Sequence, residues 1–155
     1  MDRGVRLGVD VGSVRIGVAA SDPDGIMAFP VETVVAGEGD AARVALIASE
    51  REAIRIFVGL PRTLSGADGT SAAKATAFAT RLAELTTADV RLIDERFSTA
   101  TASRALSGAG KSQRQQRKII DQAAAVVILE NALEVDRQGN LGTVTRRIPH
   151  EGNDD

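Results

Sequence analysis

Three apolar runs suited to strands, Val5 to Val11, Arg15 to Ala20 and Ile26 to Val35, are separated only by Gly12-Ser13 and by Asp22-Pro23-Asp24-Gly25. The second of these is a strong turn signal. Connections this short cannot return the chain for a parallel pairing, so the first third of the sequence must form antiparallel neighbours. Any architecture for the whole chain has to begin from that meander.

Beyond residue 39 the period changes. Asp40 is a candidate N-cap for a helix running to about Ala53, and Arg55 to Leu60 (RIFVGL) reads as a short buried strand ended by Pro61. Ala75, Phe78, Ala79, Leu82 and Leu85 recur at three- and four-residue spacing, which predicts a helix from about Ser71 to Leu85, and Val90 to Asp94 is the next buried strand. Ser98 is placed to cap a short helix to about Leu106, and Gly108-Ala109-Gly110 breaks it. Ser112 with Gln115 forms a capping box for a final helix ending near Arg137, with Gly139 as the stop. Three antiparallel strands followed by two parallel strand and helix units predict an α/β fold, a five-stranded mixed sheet covered by helices on both faces. The expected domain spans residues 1–137. Residues 138–155, with two glycines, a proline and little hydrophobicity, are expected to form a mobile tail.

Composition narrows the chemistry. The 155 residues suffice for one sizeable core, and they contain no cysteine and a single histidine, His150, in the polar tail. Disulfides, thiolate metal sites and thiol nucleophiles are thereby excluded, and an imidazole base or a multi-histidine zinc site is disfavoured. Carboxylates remain as the chemical groups. No apolar run reaches membrane-spanning length and no signal-peptide pattern opens the chain, so a cytoplasmic protein without membrane contact is expected.

The net charge of −2 argues against a polyanionic partner until its distribution is considered. Six of the nineteen cations (Arg96, Arg104, Lys111, Arg114, Arg117 and Lys118) fall between Arg96 and Ile120 in a stretch without a single acid. A solvated loop and helix face would account for such a run. Its flanks are more informative: Glu95 immediately precedes it and Asp121 immediately follows.

Asp10 lies within a strand expected to be buried on both sides, where an isolated carboxylate is costly to ionise. A divalent cation would compensate it, as would hydrogen bonds from the Gly12 turn. Glu95 lies at the carboxyl end of a parallel strand, where open α/β sheets place ligand sites, although Asp94, Glu95 and Arg96 would also suit a surface charge cluster. If Ile93 faces the core, Glu95 shares its face and Asp94 points the other way. Asp121 shares a helix stripe with Ala125, Ile128 and Ala132; its alternative use as an N-cap is weakened by the capping box two turns earlier. Small residues at Ala123 to Ala125 would let this helix approach the sheet closely and bring Asp121 near Asp10. Three carboxylates without histidine or cysteine suit a pair of magnesium or manganese ions about 4 Å apart, the arrangement that supports in-line phosphodiester hydrolysis. Lys111, Arg114, Arg117 and Lys118 would contact phosphates, giving affinity with little sequence information.

LGVDVGSVRIGVAASD, VGLPRTLSG, DERFST and KIIDQAAAVVILENAL, in this order and spanning roughly residues 7–134, resemble the YqgF/RuvX family of bacterial ribonuclease H-like nucleases, also described as Holliday junction resolvases and pre-16S rRNA processing nucleases. Phe97 stands where the family more often has leucine. The resemblance implies a ribonuclease H-like fold, an endonuclease acting on structured nucleic acid, branched DNA or precursor rRNA, and Asp10, Glu95 and Asp121 as catalytic and metal-binding acids. Gly12, Arg62, Arg96, Ser98 and Thr99 also fall in its motifs, with substrate contact, turn geometry or helix capping as their roles. Junction cleavage would call for a twofold homodimer, and end trimming for a single site.

Rival readings are weaker. SGAGKS resembles a phosphate-binding loop but has alanine where the first glycine should stand and follows a helix rather than a strand. Asp10-Val11-Gly12-Ser13 is similar to the first phosphate loop of sugar kinases and actin-like ATPases, which need two lobes to enclose a nucleotide. A non-catalytic interaction module that merely retains the acids is the third alternative.

Overall fold

The computed structural model describes residues 2–61, 69–95 and 113–150, with side chains in the last stretch described from Gln122 onward. Strands β1 (Val5–Val11), β2 (Arg15–Ser21) and β3 (Ala28–Val35) form the antiparallel meander required by their short turns. Helix α1 (Asp40–Glu50) leads to β4 (Ala53–Leu60), and α2 (Thr70–Leu85) leads to β5 (Asp89–Asp94). Each of these strands joins the growing edge in parallel, giving the order β3-β2-β1-β4-β5-β6.

The sixth strand corrects the sequence expectation of five. After α3 (Gln113–Arg137), Gly139 turns the chain at φ 76°, a one-turn helix α4 (Leu141–Val144) follows, and β6 (Thr145–Arg147) pairs antiparallel with β5. Residues 138–150, expected as a tail, thus fold back onto the sheet. Their anchors are Thr145 and Ile148, both buried, and the Ile148 N–H donating to Val90 O at 2.8 Å. His150 docks on α2, its Nδ1 lying 2.8 Å from Ala83 O. Two buried side chains in a polar segment are too faint a pattern to announce a three-residue strand. At α1 the N-cap position is Gly39, at φ 84°, and Asp40 is the first helical residue; its carboxylate still accepts from the Gly37 and Ala41 amides, so its capping role survives one position late.

Strand alternation divides the sheet's side chains between two layers. Leu7, Val9, Val18, Ile56, Val58, Val90 and Leu92 pack against α1 and α2. Ala19, Phe57 and Ile93 pack against α3 through Ala125, Ile128, Leu129 and Leu133. Helices therefore cover both faces, as expected. The α3 layer is unusually close: a Cβ built on Gly8 would lie 2.7 Å from Leu129 Cβ and 2.8 Å from the Ala125 carbonyl oxygen. Small residues on both sides, Gly8 and Ala19 on the sheet with Ala124, Ala125 and Ala132 on the helix, are what permit this approach. No helix among the described residues is long and apolar enough to cross a membrane.

Candidate active site

Asp10 sits near the carboxyl end of β1, with Val9 and Val11 directed to the α1 and α2 layer, so alternation turns Asp10 to the α3 face. It is 3% exposed. The turn that follows is held by the Gly12 N–H donating to Arg15 O at 2.9 Å, so this amide is engaged within the turn itself. Any Cβ at Gly12 would stand 2.5 Å from that same oxygen, which is why glycine occupies the position.

Glu95 follows β5 directly and is 8% exposed. Ile93 packs in the α3 layer and Leu92 in the opposite one, so Glu95 falls on the α3 face, and Asp94, at the strand's last position, shares the parity of Leu92. The alternation expected from the sequence therefore selects Glu95 over Asp94. A Cβ built at Gly59 would be 3.2 Å from both Cγ and Cδ of Glu95, so the glutamate side chain lies back across β4 at this point. The register Val9↔Val58 makes Gly59 the lateral neighbour of Asp10. With strands about 4.8 Å apart, the carboxyl group of Glu95 lies roughly one strand spacing from the position of Asp10. Two buried acids, one on β1 and one just past β5, thus share a sheet face at Gly59, over which Glu95 and Ile128 pack.

Asp121, the third acid expected from the sequence, belongs to α3. Residues 122–150 are described with their side chains, whereas the side chain of Asp121 lies outside the described residues. The helix itself runs antiparallel to β1: Asp136, near its end, pairs with Arg6 at the start of β1, and Gln122 bonds Thr33, two strands from Asp10 in the same cross-strand row. Arg62, Arg96, Ser98, Thr99, Arg104 and Lys111 lie outside the described residues, as do the expected short helix from Ser98 and the side chains of Arg114, Arg117 and Lys118. Among the described residues no group of three acids or histidines is placed to hold a metal ion.

Around the turn after Asp10, Lys74 on α2 donates to Ser13 Oγ at 3.2 Å, and Arg81 donates to Asp40 at 2.9 Å. Burial opposes ionisation of Asp40, but the amides of Gly37 and Ala41 and the Arg81 guanidinium outweigh it and hold the carboxyl below its ordinary value. These groups line an open groove of about 300 Å³ that borders the β1 to β2 turn. A larger groove of about 510 Å³, between α2 and β6, is lined by Thr76, Arg146, Ile148 and His150 and includes none of the three acids.

Sequence reasoning did not single out Gly8, Gly59 or the Thr33 and Gln122 pair. Glycine inside an apolar strand is itself a sign of close approach, and both Leu7-Gly8-Val9 and Val58-Gly59-Leu60 carry it.

Buried carboxylates projecting from the carboxyl edge of a mixed sheet, under a closely packed helix, belong to the ribonuclease H-like class. The same fold is found in Thermus thermophilus RuvC in complex with a Holliday junction substrate, at TM-score 0.58 and 15% identity over 94% of this chain and 99% of that one. The family model described as RuvX, Holliday junction resolvase, matches residues 4–135. A relative from Nocardia farcinica is 54% identical over 141 residues, covering 85% of this chain and 78% of the relative, and one from Streptomyces coelicolor is 49% identical over 155 residues, covering 98% and 89%. Both carry the name "Putative pre-16S rRNA nuclease". The chain belongs to the RuvX Holliday junction resolvase family.

Proposed function

We propose that this protein is a divalent-metal-dependent endonuclease that hydrolyses phosphodiesters of structured nucleic acid, with Asp10, Glu95 and Asp121 as its metal-binding and catalytic acids. The observation that carries the reading is the convergence of Asp10 and Glu95, both buried, on one sheet face across Gly59. Hard oxygen donors held on β1 and at the end of β5 fit magnesium or manganese. Helix geometry supports the third acid. At about 100° per residue, position 121 falls roughly 20° from Ile128, which covers Gly59, and roughly 40° from Ala125, which covers Gly8. Asp10 lies two residues beyond Gly8, about 7 Å along β1, a distance α3 covers in four to five residues, which brings the helix level with Asp10 near position 122.

The residues have separable tasks. Asp10 on β1 and Glu95 at the end of β5 would hold the metal, and Gly59, having no side chain, lets Glu95 lie back across β4. Bound divalent ions, two in the ribonuclease H-like arrangement, supply a water of lowered pKa and neutralise charge at the leaving oxygen. Arg62, Arg96, Lys111, Arg114, Arg117 and Lys118 hold the backbone through phosphates.

Precursor 16S rRNA is the first substrate to offer, on the names of relatives similar over most of the chain, and the four-way DNA junction is the second, on the family description. The junction reading carries a twofold homodimer with it, and a cytoplasmic location suits both. Cleavage of each should be assayed with magnesium, manganese and a chelator. Asp10→Asn should abolish turnover while leaving the melting temperature and nucleic-acid affinity close to wild type. Cleavage that persists in chelator, or in Asp10→Asn, contradicts the proposal.

A further inference from the structure

The interface between α3 and the sheet mixes large and small side chains: Phe57 and Ile93 on the sheet pack with Ile128, Leu129 and Leu133 on the helix, while Gly8 and Ala19 with Ala124, Ala125 and Ala132 set how closely the helix approaches. Among the described side chains a directional contact crosses this end of the interface: Gln122 Nε2 donates to Thr33 Oγ1 at 2.8 Å, joining residues 89 apart in sequence. Both side chains are half-buried.

The position of this bond is informative. Asp10 pairs with Gly17 and Gly17 pairs with Thr33, so the three form one row across β1, β2 and β3. Paired residues of antiparallel strands share a face, so Thr33 projects on the same side as Asp10, with only a glycine between them. Gln122 is next in the chain to Asp121. Round the helix, in order, come Ile128 over β4, position 121, Ala125 over β1 and Gln122 over β3. Holding Gln122 on β3 therefore holds position 121 in the sector between β4 and β1, the strands of Gly59 and Asp10.

We infer that Thr33 and Gln122 are positioning residues: their hydrogen bond sets the rotation of the α3 turn that carries Asp121 and thereby the affinity of the carboxylate cluster for its divalent cation. This rests on the nuclease reading above. Neither residue touches the reacting atoms. A bond that mattered only for folding would contribute to stability and leave metal affinity alone, and the two roles separate in experiment.

The test uses the full chain with Mn2+ as the probe. Mn2+ binding is measured by calorimetry or electron paramagnetic resonance, alongside the metal-free melting temperature and the kcat and KM for cleavage. Thr33→Val keeps shape and removes the hydroxyl; Gln122→Met keeps length and removes the donor. Each should weaken Mn2+ binding about tenfold and lower kcat, with KM for nucleic acid within twofold and the metal-free melting temperature within a few degrees. Thr33→Ser should restore binding and turnover. Wild-type Mn2+ affinity in both Thr33→Val and Gln122→Met overturns the inference while leaving the nuclease reading intact, as does a loss of affinity that Thr33→Ser fails to recover. If the wild-type chain neither binds Mn2+ nor cleaves, the nuclease reading itself fails, and this inference with it.

Discussion

Gly59 keeps the side chain of Glu95 in place by having none of its own: a Cβ there would stand 3.2 Å from Glu95 Cγ and Cδ and 2.6 Å from Ile128 Cδ1. The glycine is level with Asp10 on the neighbouring strand, so the two acids meet over it. Gly59→Ala should displace Glu95 and cut cleavage by at least about tenfold, while overpacking against the side-chain end of Ile128 costs only about 1–3 kcal/mol. Comparing kcat with urea denaturation of the same variant checks this. An alanine variant with wild-type turnover would show that Glu95 need not lie across β4.

Gly8 is different in kind. Its hypothetical Cβ meets Leu129 Cβ at 2.7 Å and the Ala125 carbonyl oxygen at 2.8 Å, atoms that move only if the helix moves. Gly8→Ala should therefore destabilise more than Gly59→Ala, near or beyond the upper end of the range for overpacked cores, about 3 kcal/mol. Activity should fall with it, because α3 carries Asp121. Urea midpoints for the two variants, measured side by side, give the order.

At the opposite end of the sheet Arg6 is fully buried and lies 3.4 Å from Asp136 on α3, with Gly4 O and Asp2 O accepting from the same guanidinium. Burial lowers the Arg6 pKa and Asp136 opposes it. Arg55 also donates to Asp136, at 3.2 Å. Asp136→Ala leaves a buried cation with its main counter-charge gone and should cost about 3–5 kcal/mol by chemical denaturation. A cost under about 1 kcal/mol would mean that backbone carbonyls alone suffice for Arg6.

Acid should weaken the fold through Asp40 and Asp89. Burial works against both carboxylates, but Arg91 and Arg55 at Asp89, and the Gly37 and Ala41 amides with Arg81 at Asp40, hold each below the ordinary value of 3.8. A depressed folded-state pKa means that the stabilisation is present above the unfolded value and is lost as pH falls through the folded one. Stability should thus decline below about pH 4, and Asp40→Asn, less stable than wild type at pH 7, should show a shallower decline between about pH 4 and pH 2. Urea midpoints across that range measure both slopes.

Replacing Lys111, Arg114, Arg117 and Lys118 by alanine should weaken nucleic-acid binding uniformly across sequences and flatten its dependence on salt, by about 0.7–0.9 in log–log slope for each phosphate no longer neutralised. Fluorescence anisotropy titrations at several salt concentrations measure the slope. An unchanged slope removes these residues from the binding surface.

Local pattern alone carried the strand meander, the two parallel units and the helix boundaries to within a few residues, because each rests on side-chain period and on turn chemistry between near neighbours. It also carried the placement of Glu95 on the face of Ile93, since alternation from Ile93 is a local rule. The sixth strand was not legible, because Thr145 and Ile148 become apolar anchors only when β5 presents an open edge. Asp10 was legible as a buried acid and was expected beside Glu95, but the way Glu95 lies back across Gly59 was not, because that depends on the β1 to β4 register and on packing against Ile128.

By itself the sequence determined the antiparallel meander, the two parallel strand and helix units and the face alternation along them, and that carboxylates are the candidate chemical groups, since it contains no thiol and one histidine. Only the tertiary structure decided that Glu95 lies back across Gly59, how closely α3 presses on Gly8, and that Gln122 reaches Thr33. The physical reason is range. Period and capping act over a few residues, whereas register and helix rotation are set by contacts between segments scores of residues apart, such as the 89 that separate Thr33 from Gln122.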